Sequence, residues 1–321
     1  MSGPRRPVAT VLRALGLGDL LVAVPALRAI RRGLPDHDVV LLAPARFAGL
    51  TRHAELADRL VPLSATSALP RSLPASLEAP DVAVNLHGRG PQSHRLLLAT
   101  DPNRLIAYAS PGLFDDGPSW DDGEHEMRRW SRLATTAGYP VRAGDFRVSA
   151  PDRPIRDRAA GATIIHPGAA AAARRWPPER WAELAAAERA SGHDVIVTTG
   201  PGERNLGRHV ARAAGLPRSR AVDIVDVLDL LALVHGAGRL VCGDTGVAHV
   251  ATAAGTPSVV LFGPTSPAQW GPPPGALHRA LWHGRRGDPQ AAATDPGLLA
   301  IGVAEVREAL ATLPSRVDAA A

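Results

Sequence analysis

Apolar positions along the chain fall into two patterns. Short, nearly unbroken apolar runs occur at residues 8–12, 39–42, 82–86, 105–108, 162–165, 195–199, 240–243 and 258–262. Their length, and the Gly, Pro and Asp around them, predict short strands inside a sheet. Between them, apolar residues recur every three or four positions. That spacing predicts helices over 20–32, 124–138, 203–214, 227–235, 247–254 and 303–313. A further helix is expected to open at Pro177-Pro178, since proline is tolerated in a first turn. Strand and helix patterns alternate along the whole chain, which predicts an α/β protein with parallel sheets.

The alternation runs twice. Residues 140–161 are rich in Pro, Arg and Asp with little apolar periodicity, and read as a linker. The expected division is a domain over 1–150, a second over 151–313, and a disordered tail over 314–321. Two such halves imply a cleft between two sheets. Ligands of open α/β sheets sit beyond the carboxyl ends of the strands, so strand ends are where chemistry is sought.

Composition narrows the partners. A hydrophobic share of 45% with 21% charged residues fits a folded chain with a substantial core. All 36 basic residues are arginine, a bias expected of a GC-rich coding background. The net charge of +5 is spread among 31 acids, and aromatics are only 4%, so no nucleic-acid partner is expected. An anionic small molecule, or a membrane surface reached peripherally, fits better. Cys242 is the single cysteine and lies in an apolar run, so it reads as a core residue and excludes an internal disulfide. The 12 histidines lack ligand-pair spacing, and no metal site or cofactor is expected. Residues 8–26 imitate a signal peptide, but Arg13 and Asp19 interrupt them. No apolar run reaches the ~18 residues of a membrane span. The expected location is the cytoplasm, at most against the inner face of the membrane.

Four strand-end segments carry candidate chemistry. Gly243-Asp244-Thr245-Gly246, followed by His249, joins a buried strand to a helix. Glycines allow close backbone approach, and the helix start offers N–H groups to an anion. The same spacing also suits a plain junction with a capping residue. His166-Pro167-Gly168, then Arg174 ahead of a helix, suits either a phosphate clamp or a solvated cation. Gly16-Leu17-Gly18-Asp19 resembles a dinucleotide fingerprint only superficially, because Leu21 stands at the third glycine. Asp19 is either a helix cap or a general base. Asn85, His87 and Arg89 sit at a fourth strand end, where substrate contact and turn chemistry are equally open.

In this order the four segments resemble the family 9 glycosyltransferases, which include ADP-heptose:lipopolysaccharide heptosyltransferases. The resemblance rests on Gly18-Asp19 with Pro25-Ala26-Leu27, and on His166-Pro167-Gly168-Ala169 with Arg174 before Trp176-Pro177. It continues through Asp244-Thr245-Gly246 with His249, and Phe262-Gly263-Pro264-Thr265. It implies a GT-B architecture, two Rossmann-like domains facing a cleft, and inverting, metal-independent transfer from a nucleotide-diphosphate sugar. An ADP-linked donor and a glycan or glycolipid acceptor are the partners it implies. Asp19 matches the general base. Arg174, His166, Gly168, Asp244, Thr245, Gly246 and His249 match the donor site, and Gly18, Asn85, His87 and Arg89 fall on the acceptor side. The chain departs from the family pattern in carrying Arg174 for lysine, an alanine-rich loop at 169–173, and Asn85 for Asp. Two alternatives share the scaffold: another nucleotide-sugar enzyme of epimerase type, and a nucleotide-sugar-binding protein without turnover.

Overall fold

The apolar runs of the first half form parallel strands of one sheet. In this computed structural model, which describes residues 6–63, 68–284 and 286–314, the chain divides into two units, Met1–Phe146 and Arg147–Ala321. The first unit contains β1 (Val8–Leu12), α1 (Leu17–Gly33), β2 (Asp38–Ala43), α2 (Ala48–His53) and β3 (Arg59–Pro62). It continues with β4 (Val82–Asn85), α3 (Gln92–Leu98), β5 (Arg104–Ile106) and α4 (Glu126–Thr136). The strand order is β3-β2-β1-β4-β5, all parallel. The order reverses between β1 and β4, where Leu12 lies opposite Asn85, and this is the sheet's switch point.

α1 opens at Leu17, earlier than the apolar spacing indicates. The Gly16 N–H donates to Asp19 Oδ2 at 3.1 Å, so the aspartate reaches back over the first turn and joins it to the helix. The inner face of α1, including Leu20, Val24 and Leu27, is fully buried, and α4 packs along the helix. Leu12, Val40, Leu42 and Ala83 build one side of the sheet's core with Leu96 and Leu97 of α3.

The second unit repeats the plan. It contains β6 (Thr163–His166), α5 (Pro178–Ala190), β7 (Val195–Thr199), α6 (Arg204–Ala213), β8 (Ala221–Asp223) and α7 (Val227–Gly236). It continues with β9 (Arg239–Gly243), α8 (Gly246–Ala254), β10 (Ser258–Phe262), α9 (Pro267–Trp270) and β11 (His278–Trp282). It ends with α10 (Pro296–Ala300) and α11 (Val303–Ala311). Its parallel sheet has the order β11-β10-β9-β6-β7-β8, with the reversal between β6 and β9. Both units are Rossmann-like. Trp176 and Trp181 are buried in the core of the second unit, with their rings edge to face at 4.9 Å. Such a pair adds ~0.5–1.5 kcal/mol beyond the area it buries. Cys242 is also buried, and burial pushes its thiol pKa up.

Residues 140–161, read above as a linker, contain some regular structure. Pro154–Ala159 forms a 3-10 turn packed against α7, and the Val148 N–H donates to the Ala253 carbonyl while its own carbonyl accepts from His235 Nε2. The expected disordered tail lies outside the described residues from 315 onward. Among the described residues, no helix is long and apolar enough to cross a membrane.

Candidate functional site

Each unit carries its predicted residues at its own switch point. In the first, Asp19 occupies the first turn of α1, its side chain 31% exposed. Gly18 precedes it in the same turn, where backbone N–H groups have no partner within the helix. Arg13, just past the end of β1, is the largest buried charge nearby. Its side chain is 1% exposed, and its Nη2 lies 3.5 Å from Asp19 Oδ1. Burial lowers its pKa to about 10, with Asp19 opposing and Arg129 adding to the fall, so it stays cationic at neutral pH.

The end of β4 and the loop after it hold the other three predicted residues in different ways. Asn85 is fully buried, and its amide nitrogen donates to the Gly88 carbonyl and to Ser93 Oγ. Its Oδ1 accepts the His87 N–H at 2.9 Å. The side chain therefore shapes the turn from within. His87 is partly buried and its Nδ1 has no hydrogen-bond partner. Burial first, then Arg13, pull its pKa down to about 4 against the pull of Asp19, so the imidazole is neutral. Arg89 is exposed and pairs with the exposed Asp122 at 3.3 Å.

In the second unit the strand–helix junction is β9 into α8. Thr245 caps α8, its hydroxyl accepting the Val247 N–H at 3.3 Å. Gly246 is the first helical residue, and Gly255 closes the helix in the left-handed region at φ 68°. Gly243 leaves little room for a side chain, since a Cβ would meet the Arg174 carbonyl at 3.1 Å, tighter than most such contacts. Arg174 in turn donates to the Asp244 carbonyl at 3.2 Å, which brings its guanidinium to the start of α8. The Asp244 carboxyl is buried. Burial raises its pKa, while Arg174 and a hydrogen bond with Thr265 pull it back.

His166 ends β6 beside β9, opposite Cys242 in the pairing. It is buried, with Nδ1 3.0 Å from Thr198 Oγ1, and burial pulls its pKa down to about 4. His249, in α8, is buried with its ring 6.0 Å from that of Trp270. Gly168 faces the Glu203 carboxylate so closely that any Cβ would collide with it. Glu203, which no sequence motif singles out, is held there by the Gly200 N–H at 3.2 Å. Its signal is weak: a single acid in a Gly-Pro-Gly turn. Arg13 is equally hidden, visible in the sequence only as a charge interrupting an apolar run. Among the described residues, no group of three or more His, Cys, Asp or Glu is arranged to hold a metal ion.

A family model described as glycosyltransferase family 9 (heptosyltransferase) matches residues 113–296, more than half of the 321. The chain belongs to glycosyltransferase family 9. Lipopolysaccharide heptosyltransferase 1 of Pseudomonas aeruginosa is 29% identical over 149 residues, 45% of this chain and 41% of that protein. The matched part of the chain spans roughly a third to two fifths of the length of its curated relatives. Among solved structures, the Escherichia coli ADP-heptose lps heptosyltransferase II superposes with a TM-score of 0.73 at 19% identity, covering 95% of this chain and 97% of that one. An Escherichia coli heptosyltransferase with ADP-2-deoxy-2-fluoro heptose gives 0.66 at 16% identity, covering 94% and 98%. These neighbours share the fold, and this family 9 chain has the GT-B-type pair of Rossmann-like units.

Proposed function

We propose that this family 9 chain is an inverting, metal-independent glycosyltransferase that moves heptose or a related sugar from an ADP-linked donor to a hydroxyl of a glycan or glycolipid. The observation that carries the reading is the Arg174 guanidinium, tied to the Asp244 carbonyl at the open start of α8. A helix start and a cation together suit a diphosphate. The structural neighbour that holds an ADP-sugar analogue supports adenine as the base.

In the proposed step, Asp19 takes the proton of the acceptor hydroxyl as its oxygen attacks the anomeric carbon. The bond from that carbon to the β-phosphate oxygen breaks, its electron pair leaves with ADP, and the configuration inverts. Arg174 and the N–H groups around Thr245 and Gly246 meet the charge that develops on the leaving group. In this reading, neutral His87 and the N–H of Gly18 hold the acceptor hydroxyl beside Asp19. A glycolipid acceptor would bring this otherwise cytoplasmic protein to the inner face of the membrane.

A thermal-shift comparison of ADP-, GDP- and UDP-sugars tests the donor. ADP-sugars are expected to raise the melting temperature most, because a ligand that binds only the native state stabilises it. Equal shifts with all three bases, or none, would remove the donor assignment. Transfer is then read as ADP release that rises with added acceptor.

A further inference from the structure

We infer that Arg13 is the positioning residue that aims the Asp19 carboxylate, and that Trp130 is the backing that holds Arg13 in place. The inference rests on Asp19 being the base proposed above. A buried guanidinium is costly unless each part of it is met. Here Nε donates to the Asp19 carbonyl at 2.8 Å and Nη1 to the Leu86 carbonyl at 2.5 Å. The Cζ of the ion lies over the Trp130 ring, 4.7 Å from its centroid. These anchors come from the first turn of α1, the loop after β4, and α4. With three elements gripping it, the guanidinium is fixed relative to the switch point.

One nitrogen is left over. Nη2 is buried, makes no hydrogen bond, and stands 3.5 Å from Asp19 Oδ1. An arginine serving only to tie β1 to its neighbours needs no donor facing the carboxylate. The leftover donor gives Asp19 Oδ1 a fixed charge to align against, while the Gly16 N–H holds Oδ2 at 3.1 Å. Lysine could supply the charge but not the fork that grips two carbonyls at once. Trp130 is itself locked, its Nε1 donating to Glu126 Oε2 at 3.0 Å and its ring packed near Trp120 and Tyr108.

The test uses the full chain, with ADP-heptose as donor, water as acceptor and ADP release as the readout. Arg13→Met is expected to lower kcat by about 10-fold or more, with donor KM unchanged, because misaiming a reacting group by about 1 Å is that costly. Arg13→Lys is expected to recover part of the loss, and Trp130→Leu to show a smaller one of the same kind. In an Asp19→Asn background, Arg13→Met should add almost nothing, since a residue acting through Asp19 has nothing left to aim. Wild-type kcat in Arg13→Met, or losses that multiply in the double variant, would overturn the inference. If Arg13→Met does not fold, Arg13→Lys carries the test: its kcat must fall with KM unchanged. Crystal structures of wild type and variant give a readout independent of turnover, in which the Asp19 carboxylate should be displaced by about 1 Å. An unmoved carboxylate overturns the inference. Full activity in Asp19→Asn sinks the base assignment instead, while the position of the carboxylate in the Arg13 variants still decides whether Arg13 aims it.

Discussion

The β1–α1 and β9–α8 junctions are built alike and tuned in opposite directions. Each leads from a strand at its sheet's switch point into a helix, and each presents an aspartate with an arginine close by. Asp19 is part-exposed and its arginine is buried beneath it. Asp244 is buried, and its arginine is the part-exposed member, bonded to the backbone. The first arrangement offers a carboxylate to whatever arrives. The second hides the carboxylate and offers a cation and a helix start. One scaffold thus presents a part-exposed carboxylate in one unit and a part-exposed guanidinium at a helix start in the other, which are the proposed proton acceptor and the proposed anion site, and the difference lies in which partner is covered.

The contrast breaks most visibly at Asp19. Asp19→Asn keeps the reach back to Gly16 but removes the charge, and turnover is expected to fall by ~10²-fold or more with ADP affinity unchanged. Rates near wild type would show that the exposed carboxylate is only a cap. Arg174→Ala should do the reverse, weakening ADP binding by roughly 10- to 100-fold through loss of a charged contact worth ~1.5–3 kcal/mol. Calorimetry showing undiminished affinity would remove Arg174 from the anion site.

A smaller effect is expected at the cap of α8. Thr245→Ala removes the hydroxyl that accepts from Val247. The cost is about 1 kcal/mol, or roughly 2–4 °C in melting temperature for a unit of this size. An unchanged melting temperature would mean that the helix start is organised by its neighbours alone.

The smallest effect concerns what the junctions share. Each has a neutral histidine on the neighbouring strand's side, His87 or His166, with its pKa pulled to about 4 from 6.5. Between those values the unfolded chain binds protons that the folded one refuses, so stability rises with pH across the window and is lost as pH falls through it. His278 acts in the same direction, while the raised pKa of Asp244 works against the trend. Melting temperatures are expected to decline from pH 6.5 toward 4, and less steeply in His166→Gln. A flat profile would show that these imidazoles are reached by water.

Much of this was legible in advance where burial is two-sided. β1, β2, β6, β7, β9 and β10 are covered on both faces, so they read as apolar runs. The strands that escaped notice, β3, β8 and β11, all lie at sheet edges, where part-exposed positions interrupt the run with Arg, Pro, Asp and His. The β9–α8 junction was readable because glycine and a capping threonine follow local backbone rules. Arg13 was not, because its meaning depends on the Leu86 carbonyl and the Trp130 ring, which only the folded sheet brings to it.

The switch points also bear on how the chain acquires its sites. β1 finds β4, and β6 finds β9, only after the intervening elements exist, so each site is closed by a pairing between segments remote in sequence. Such contacts form late and slowly. A chain arrested before β9 would carry His166 and Arg174 but not the β9–α8 junction proposed to meet the diphosphate. A nucleotide that binds only after β9 docks would act as a ratchet on folding, slowing the unfolding of the second unit while leaving that of the first untouched.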